Sequence, residues 1–300
     1  MGEISSPEKD DAALRQRLNE FFTEQKDQLV CLVTSGGTRV NLEKNAVRFI
    51  ENFSMGTRGA ASTEYFLEAG YAVIFLHREE SLKPFSRKYT HLFDHLEVIQ
   101  NSTVNNEPMV VVRDFPDLAQ SISQYNKHSK RLLFISYTTL HQYLHILDTI
   151  CHELNQYGNK ALIYLAAAVS DFYVKEEQLP THKIQSVNGD LQLKLSVVPK
   201  VLERLVDKVV PKAYIVSFKL ETDDTILIDK SKKALEKYGH QVVIGNILST
   251  RKRSVIFVYP KGITEAIELD DTQLKSGVEI ESRIVEKLQK NHKQFIDDSK

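Results

Sequence analysis

The residues of this 300-residue chain best suited to chemistry stand where apolar runs end. Residues 29–33 form one such run and lead into Thr34-Ser35-Gly36-Gly37, the pattern of a buried strand entering a turn. Further on, Asn52-Phe53-Ser54-Met55-Gly56-Thr57-Arg58-Gly59 opens a helix-forming stretch that stops at Gly70. A strand ending in a Gly-Gly turn and a Ser/Gly-rich helix start both offer backbone N–H groups to an anion. Three more apolar runs carry polar or aromatic residues at their ends: Asp171 after 161–169, Phe218-Lys219 near the close of 213–220, and Asn246 after 241–245. The chemistry this pattern points to is the binding of a nucleotide.

Such ends need a frame to bring them together. Strand-sized runs occur at 29–34, 71–77, 131–137, 161–169, 213–220, 241–245 and 254–259. Helical spacing fills most of the intervals, notably 59–70, 140–154 behind Thr138/Thr139, a helix starting at Pro199, and 278–288. Residues 10–22 predict an N-terminal helix, and the alternation at 191–195 predicts a strand with one wet face. The stretch 78–115 has no clear period, which in a compact domain marks a functional loop, an insertion or partial disorder. Strands alternating with helices argue for an α/β fold with a doubly wound, mostly parallel sheet, Rossmann-like and three-layered. In such sheets ligands sit beyond the carboxyl ends of the strands, where the winding reverses. That rim would gather the Ser35-Gly36-Gly37 turn, Asp171, Phe218-Lys219 and Asn246 from four strands. The whole of 1–300 reads as a single domain, with 1–8 and 291–300 as flexible tails.

Composition narrows the class. A hydrophobic content of 42%, charged content of 26% and net charge of −1 are ordinary for a globular protein and give no general attraction to nucleic acid or anionic membrane. No apolar run reaches the length of a membrane span, and the charged N-terminus lacks the apolar core of a signal peptide. Cys31 and Cys151 make no disulfide framework. A cytoplasmic enzyme is the expectation. The His91/His95 and His141/His145 pairs lack the glutamate and third ligand of a zinc site, so no metal site is expected. Neither the G-x-x-x-x-G-K-[ST] loop nor a G-x-G-x-x-G after the first strand is present, and no Tyr is followed four positions later by Lys, so a nicotinamide oxidoreductase of the short-chain type loses its cofactor fingerprint and proton donor.

The motifs T-S-G-G-T-R-V (34–40), V-R-F-I-E-N-F-S-M-G-T-R-G-A (47–60), A-A-A-V-S-D-F (166–172) and S-F-K-L-E-T (217–222) resemble those of the phosphopantothenate–cysteine ligases, in the family's order. H-K-I-Q-S at 182–186 and G-N at 245–246 extend the likeness, which is to the stand-alone eukaryotic type. The resemblance implies an enzyme of coenzyme A biosynthesis that activates the 4′-phosphopantothenate carboxylate as an acyl-nucleotidylate, releasing pyrophosphate. The L-cysteine amine then attacks and releases the nucleoside monophosphate. It further implies ATP, or alternatively CTP, as co-substrate with Mg²⁺, and a homodimer formed through a small β-strand extension.

Roles follow from the same resemblance. Gly36, Ser54, Gly56, Gly59, Phe218 and Asn246 would bind the nucleotide, with Phe218 on the base or ribose. Asn52 would be the catalytic amide and touch substrate; Ala167, Ala168 and Asp171 would line the pantothenate and cysteine sites. Arg48 would reach the substrate phosphate in the neighbouring subunit's site, and Lys183 would be a flap lysine over the triphosphate. The residue types suit the task, since joining a carboxylate to an α-phosphate requires several negative charges to be neutralised side by side. Taken singly, each also has a plain structural reading: Gly36-Gly37 as a turn, Ser54 as a helix cap, Phe218 as core, Arg48 and Lys183 as solvated charges. Met55 stands where the family often has a small polar residue, and the 182–186 stretch is poorer in lysine than in bacterial relatives. Two other readings remain: an NAD(P)- or nucleotide-sugar-dependent enzyme on the same fold, and a non-catalytic nucleotide-binding scaffold.

Overall fold

The computed structural model describes residues 7–100, 108–186, 189–199 and 201–299. The first half runs α1 (Pro7–Glu24), β1 (Val30–Ser35), β2 (Arg39–Asn41), β3 (Phe49–Glu51), α2 (Thr57–Glu68), β4 (Ala72–Arg78), β5 (Leu96–Gln100), β6 (Pro108–Val112), α3 (Leu118–His128) and β7 (Leu132–Tyr137). It continues with α4 (Leu140–Leu154), β8 (Ala161–Leu165), β9 (Phe172–Tyr173), β10 (Ser196–Val197) and α5 (Val201–Arg204). The last part holds β11 (Tyr214–Glu221), α6 (Leu227–Tyr238), β12 (Val242–Ile247), β13 (Ser254–Val258), β14 (Thr264–Glu268), α7 (Asp271–Lys275) and α8 (Ile280–Asp298).

β1 and β4 are buried at every residue, as strands covered by helices on both faces must be. They belong to an 8-stranded sheet ordered β14-β13-β12-β11-β8-β1-β4-β7. From β12 to β7 every pairing is parallel; β13 and β14 add an antiparallel edge. The chain steps outward from β1 through β4 to β7, then returns to β8 on the other side of β1 and steps outward through β11 to β12. The winding therefore reverses between β1 and β8, in the doubly wound order expected. One face of the sheet buries Leu18, Phe22, Tyr143, Leu147 and Ile150 from α1 and α4. The other buries Phe66, Leu67, Ile280, Ile284 and Leu288 from α2 and α8, completing the three layers.

Several elements differ from the sequence expectation. The strand predicted at 191–195 does not form; Leu191, Leu193 and Leu195 alternate but are exposed, and no strand among the described residues pairs with them. Pairing begins only at Ser196, where β10 meets β9. The run 161–169 stops being a strand after Leu165, although Ala168 keeps a single bridge to Gly37. The unpatterned stretch 78–115 contains the β5–β6 hairpin, whose Val98 and Val110 stand exposed on opposite strands of one pair. The stretch 291–300, read as a flexible tail, is ordered helix as far as Asp298, and His292 on it is fully buried. Of the N-terminal tail, residues 1–6 lie outside the described residues, while Pro7 and Glu8 already belong to α1.

His292 explains why the C-terminal stretch is fixed. Its Nε2 lies 2.8 Å from the Asn159 carbonyl oxygen, which only accepts, so Nδ1 is left to accept from the Tyr71 hydroxyl at 2.9 Å. Burial pushes this imidazole from 6.5 down to about 4, and burial does the same to His240. The unfolded chain takes up both protons near pH 6.5, so stability is complete above about pH 6.5 and is lost as pH falls toward 4. Thermal unfolding should therefore occur at a lower temperature at about pH 5 than at about pH 7.5, and His292→Gln should shrink the difference. An equal pH difference in His292→Gln would remove this residue as a cause.

Candidate active site

The site is built on the exit of β1. Gly36 takes a φ of 88°, which favours glycine, and an added Cβ there would lie 2.7 Å from the Arg78 Cβ. The chain then runs beside the segment following β8: Ala168 donates to the Gly36 carbonyl at 2.8 Å, and Thr38 donates back to the Ala168 carbonyl at 3.1 Å. Two buried threonine hydroxyls finish the seam. Thr34 Oγ1 accepts from the Ala167 N–H at 3.1 Å and Thr38 Oγ1 from the Ser170 N–H at 3.0 Å. Ala167 and Ala168 thus sit half-buried at the winding reversal, held by backbone and without bulk of their own.

The segment carrying Asn52 presses directly on this turn. A Cβ added to Gly37 would fall 1.8 Å from the Asn52 carbonyl oxygen, so only glycine permits the approach. The Asn52 N–H donates to the Thr38 carbonyl at 3.2 Å, and its half-buried side-chain amide has no hydrogen-bond partner among the described residues. Four residues on, Gly56 (φ 81°) starts α2 with no side-chain cap, while the Ser54 hydroxyl accepts from the Gly56 N–H at 3.3 Å. Gly59 brings the first turn of α2 against β1, where a Cβ would meet the Ser35 Cβ at 2.5 Å. Ser35 locks the contact by donating to the Gly56 carbonyl at 3.0 Å. The uncapped N–H groups of α2 and the partial positive charge of its N-terminus are therefore held at the mouth of β1.

Across the rim, Arg58 joins elements that sequence reasoning left unconnected. It donates to Glu281 Oε1 at 3.0 Å, to Asn246 Oδ1 at 3.0 Å and to the Arg251 carbonyl at 2.7 Å, and its guanidinium lies 5.9 Å from the centre of the Phe218 ring. Burial raises the Glu281 carboxyl above the usual range, opposed by the Arg58 charge. The start of α8 is also tied by Arg87, which bridges Glu64 and Glu279. Phe218 packs edge-on against Tyr164 and is half-buried within β11, three residues before its end. Asn246, expected to bind the nucleotide, has both ends of its side-chain amide engaged within the protein. It is only 4% exposed, with its carbonyl on Arg58 and its amide nitrogen donating to the Ile244 carbonyl at 3.3 Å.

Asp171 is exposed one residue beyond the Thr38–Ser170 bond, and its backbone carbonyl accepts from Val198. Arg48 and Lys183 stand apart from the turn residues, Arg48 just before β3 in the β2–β3 hairpin and Lys183 on the segment bonded to that hairpin. Arg48 donates from Nη2 to the Ile184 carbonyl at 2.6 Å and pairs through Nε with Glu43 at 3.1 Å. The stretch around Lys183 is not loose here. Pro180 and Thr181 accept backbone hydrogen bonds from Lys44 and Asn45, and the Lys183 side chain is exposed beside them. The structure thus brings Gly36, Asn52, Ser54, Gly56, Gly59, Ala167 and Ala168 to one seam, ties Asn246 and Phe218 to it through Arg58, and sets Arg48 on the hairpin with the Lys183 segment beside it. Sequence reasoning missed Arg58, Glu43 and the two threonines; only Arg58 carried a signal, its place between Gly56 and Gly59.

This geometry defines the class of doubly wound α/β proteins that take a ligand over the winding reversal. Residues 145–289 match the family model described as DNA/pantothenate metabolism flavoprotein C-terminal domain. The chain is 44% identical to the phosphopantothenate–cysteine ligase of Homo sapiens over 275 residues, covering 90% of this chain and 88% of that protein. It is 41% identical to phosphopantothenate–cysteine ligase CAB2 of Saccharomyces cerevisiae, covering 92% of this chain and 79% of that one. Its fold matches that of a Cab2 mutant in complex with phosphopantothenate-cysteine with a TM-score of 0.87 and 39% identity, over 98% of this chain and 97% of the other. The chain belongs to the phosphopantothenate–cysteine ligase family, the one its motifs resemble.

Proposed function

We propose that this protein joins the carboxylate of 4′-phosphopantothenate to the amine of L-cysteine through an acyl-nucleotidylate, as a step of coenzyme A biosynthesis. The observation that carries this reading is the contact of Gly37 with the Asn52 carbonyl, which sets an unpartnered amide beside the uncapped start of α2. The N–H groups of Gly56, Gly59 and their neighbours would take negative charge from the α-phosphate, with Gly36 and Ser54 leaving room at the turn. Asn52 both donates and accepts, so one side chain can orient the substrate carboxylate and then the acyl carbonyl. Ala167 and Ala168 would admit the pantothenate arm, and the exposed Asp171 would hold the cysteine ammonium or the substrate amide.

Phe218 would stack on the base, with Asn246 acting at the same place through Arg58. ATP is the preferred co-substrate in this reading and CTP the alternative. Among the described residues no three His, Cys, Asp or Glu side chains gather as metal ligands. Mg²⁺ would accompany the triphosphate, supplying charge neutralisation there. Lys183 would close over the triphosphate, and Arg48 would bind the phosphopantothenate phosphate of a neighbouring subunit. A homodimer is supported by the apolar exposure of the small β2–β3 and β9–β10 sheets, where Phe49 and Val197 face outward, Val197 at 73%. The proposed compartment is the cytoplasm; among the described residues no helix is long and apolar enough to cross a membrane.

Pyrophosphate release tests the reading, with ATP and CTP assayed side by side. Release that requires both phosphopantothenate and the triphosphate is the expected result. NAD(P) reduction without such release would favour the dinucleotide alternative, and nucleotide binding without turnover in the presence of cysteine would favour the scaffold.

A further inference from the structure

Glu43, in the turn of the β2–β3 hairpin, has a side chain with 0% exposure. A carboxylate removed from water is stable only where donors replace its hydration. Here donors come from two segments distant in sequence. One oxygen accepts from the Val47 N–H at 3.2 Å and the Arg48 N–H at 3.0 Å. The other accepts from the Ile184 N–H at 3.4 Å and lies 3.1 Å from Arg48 Nε. Burial acts to raise this carboxyl, but the Arg48, Val47 and Ile184 N–H groups and the Arg48 charge outweigh it and hold it below the usual range.

The Arg48 guanidinium is consequently gripped on two sides, by Glu43 at Nε and by the Ile184 carbonyl at Nη2. Its Nη1 has no partner among the described residues. The Ile184 side chain packs with Val40, Leu42, Leu140 and Val174, so the second grip is itself anchored. An arginine on a long flexible stem loses side-chain freedom when it binds an anion, and a guanidinium already held in place loses less.

We propose that Glu43 is a positioning residue for phosphopantothenate recognition, holding the Arg48 guanidinium between itself and the Ile184 carbonyl with Nη1 left for the substrate phosphate. This rests on the reading of Arg48 given above. If Glu43 did no more than close a turn, its loss would lower stability without touching one substrate in particular.

The test is a double-mutant cycle in the full chain with Glu43→Gln, Arg48→Ala and the pair, measuring kcat and both KM values with thermal unfolding alongside. Glu43→Gln should raise the KM for phosphopantothenate roughly tenfold and leave the KM for the nucleotide within about twofold. In the Arg48→Ala background it should add little. If Glu43→Gln fails to fold, Glu43→Asp carries the same comparison, since its shorter carboxylate keeps the charge and draws it back from Arg48. A phosphopantothenate KM that rises in Arg48→Ala but not in the Glu43 variant overturns the proposal alone, and so do effects that simply multiply. An unchanged KM in Arg48→Ala overturns the reading of Arg48 and the proposal with it.

Discussion

Asn52→Ala is expected to lower kcat by about 100-fold or more while leaving nucleotide affinity within a few-fold of the parent. The size of the effect comes from what the amide would do, which is to stabilise charge that develops only as the carboxylate meets the α-phosphate. The separation of catalysis from stability comes from the structure. The Asn52 backbone, not its side chain, makes the bond to Thr38 and the contact with Gly37, and both survive truncation. The side-chain amide has no protein partner among the described residues, so its removal orphans nothing inside the fold. Single-turnover kinetics and thermal unfolding on the same preparation check this. A loss of stability with normal turnover per folded molecule would make Asn52 a structural residue.

The second large effect is expected from Gly37→Ala, for the opposite reason. One added methyl would overlap the Asn52 carbonyl oxygen at 1.8 Å, and backbone on both sides must move to relieve it. Gly37 is not among the glycines of positive φ, so the penalty is steric rather than conformational. Overpacking of this kind costs typically about 1–3 kcal/mol. The activity loss should be larger than stability alone explains, because the shift displaces Asn52 and the entry to α2. A displacement near 1 Å at a reacting group costs on the order of 100-fold in rate. Activity measured well below the unfolding temperature, corrected for folded fraction, separates the two; a parental rate there would show that the seam tolerates movement.

The sheet was legible because its strands are apolar runs that burial on both faces requires, and β1, β4 and β12 appear where the runs do. β14 was not, since Thr264, Glu265 and Glu268 give an edge strand the composition of a loop. Alternation misled at 191–195 because a pattern of apolar residues does not supply a neighbouring strand. The tail was misjudged because His292 reads as polar in sequence, whereas Tyr71 and Asn159 satisfy both ring nitrogens inside the fold.

The same contrast holds at the site. The glycine turns and the uncapped helix start could be found from sequence because backbone geometry selects glycine at Gly36, Gly37 and Gly56. The long-range ties of Arg58 and Glu43 could not, because they join residues far apart along the chain. Arg58 finds Asn246 and Glu281, and Glu43 finds Ile184. The tie that buries Asn246 was hidden for the same reason: its nearest partner, Arg58, lies 188 residues away in sequence.

The central claim is that the rim over the β1–β8 reversal brings a nucleotide α-phosphate to a carboxylate oxygen, and isotope transfer tests it most directly. With phosphopantothenate carrying ¹⁸O in its carboxylate, attack on the α-phosphate followed by cysteine aminolysis leaves one labelled oxygen in the nucleoside monophosphate. Mass spectrometry of that product should show the label. Label found instead in released inorganic phosphate, with a nucleoside diphosphate as the other product, would contradict the account.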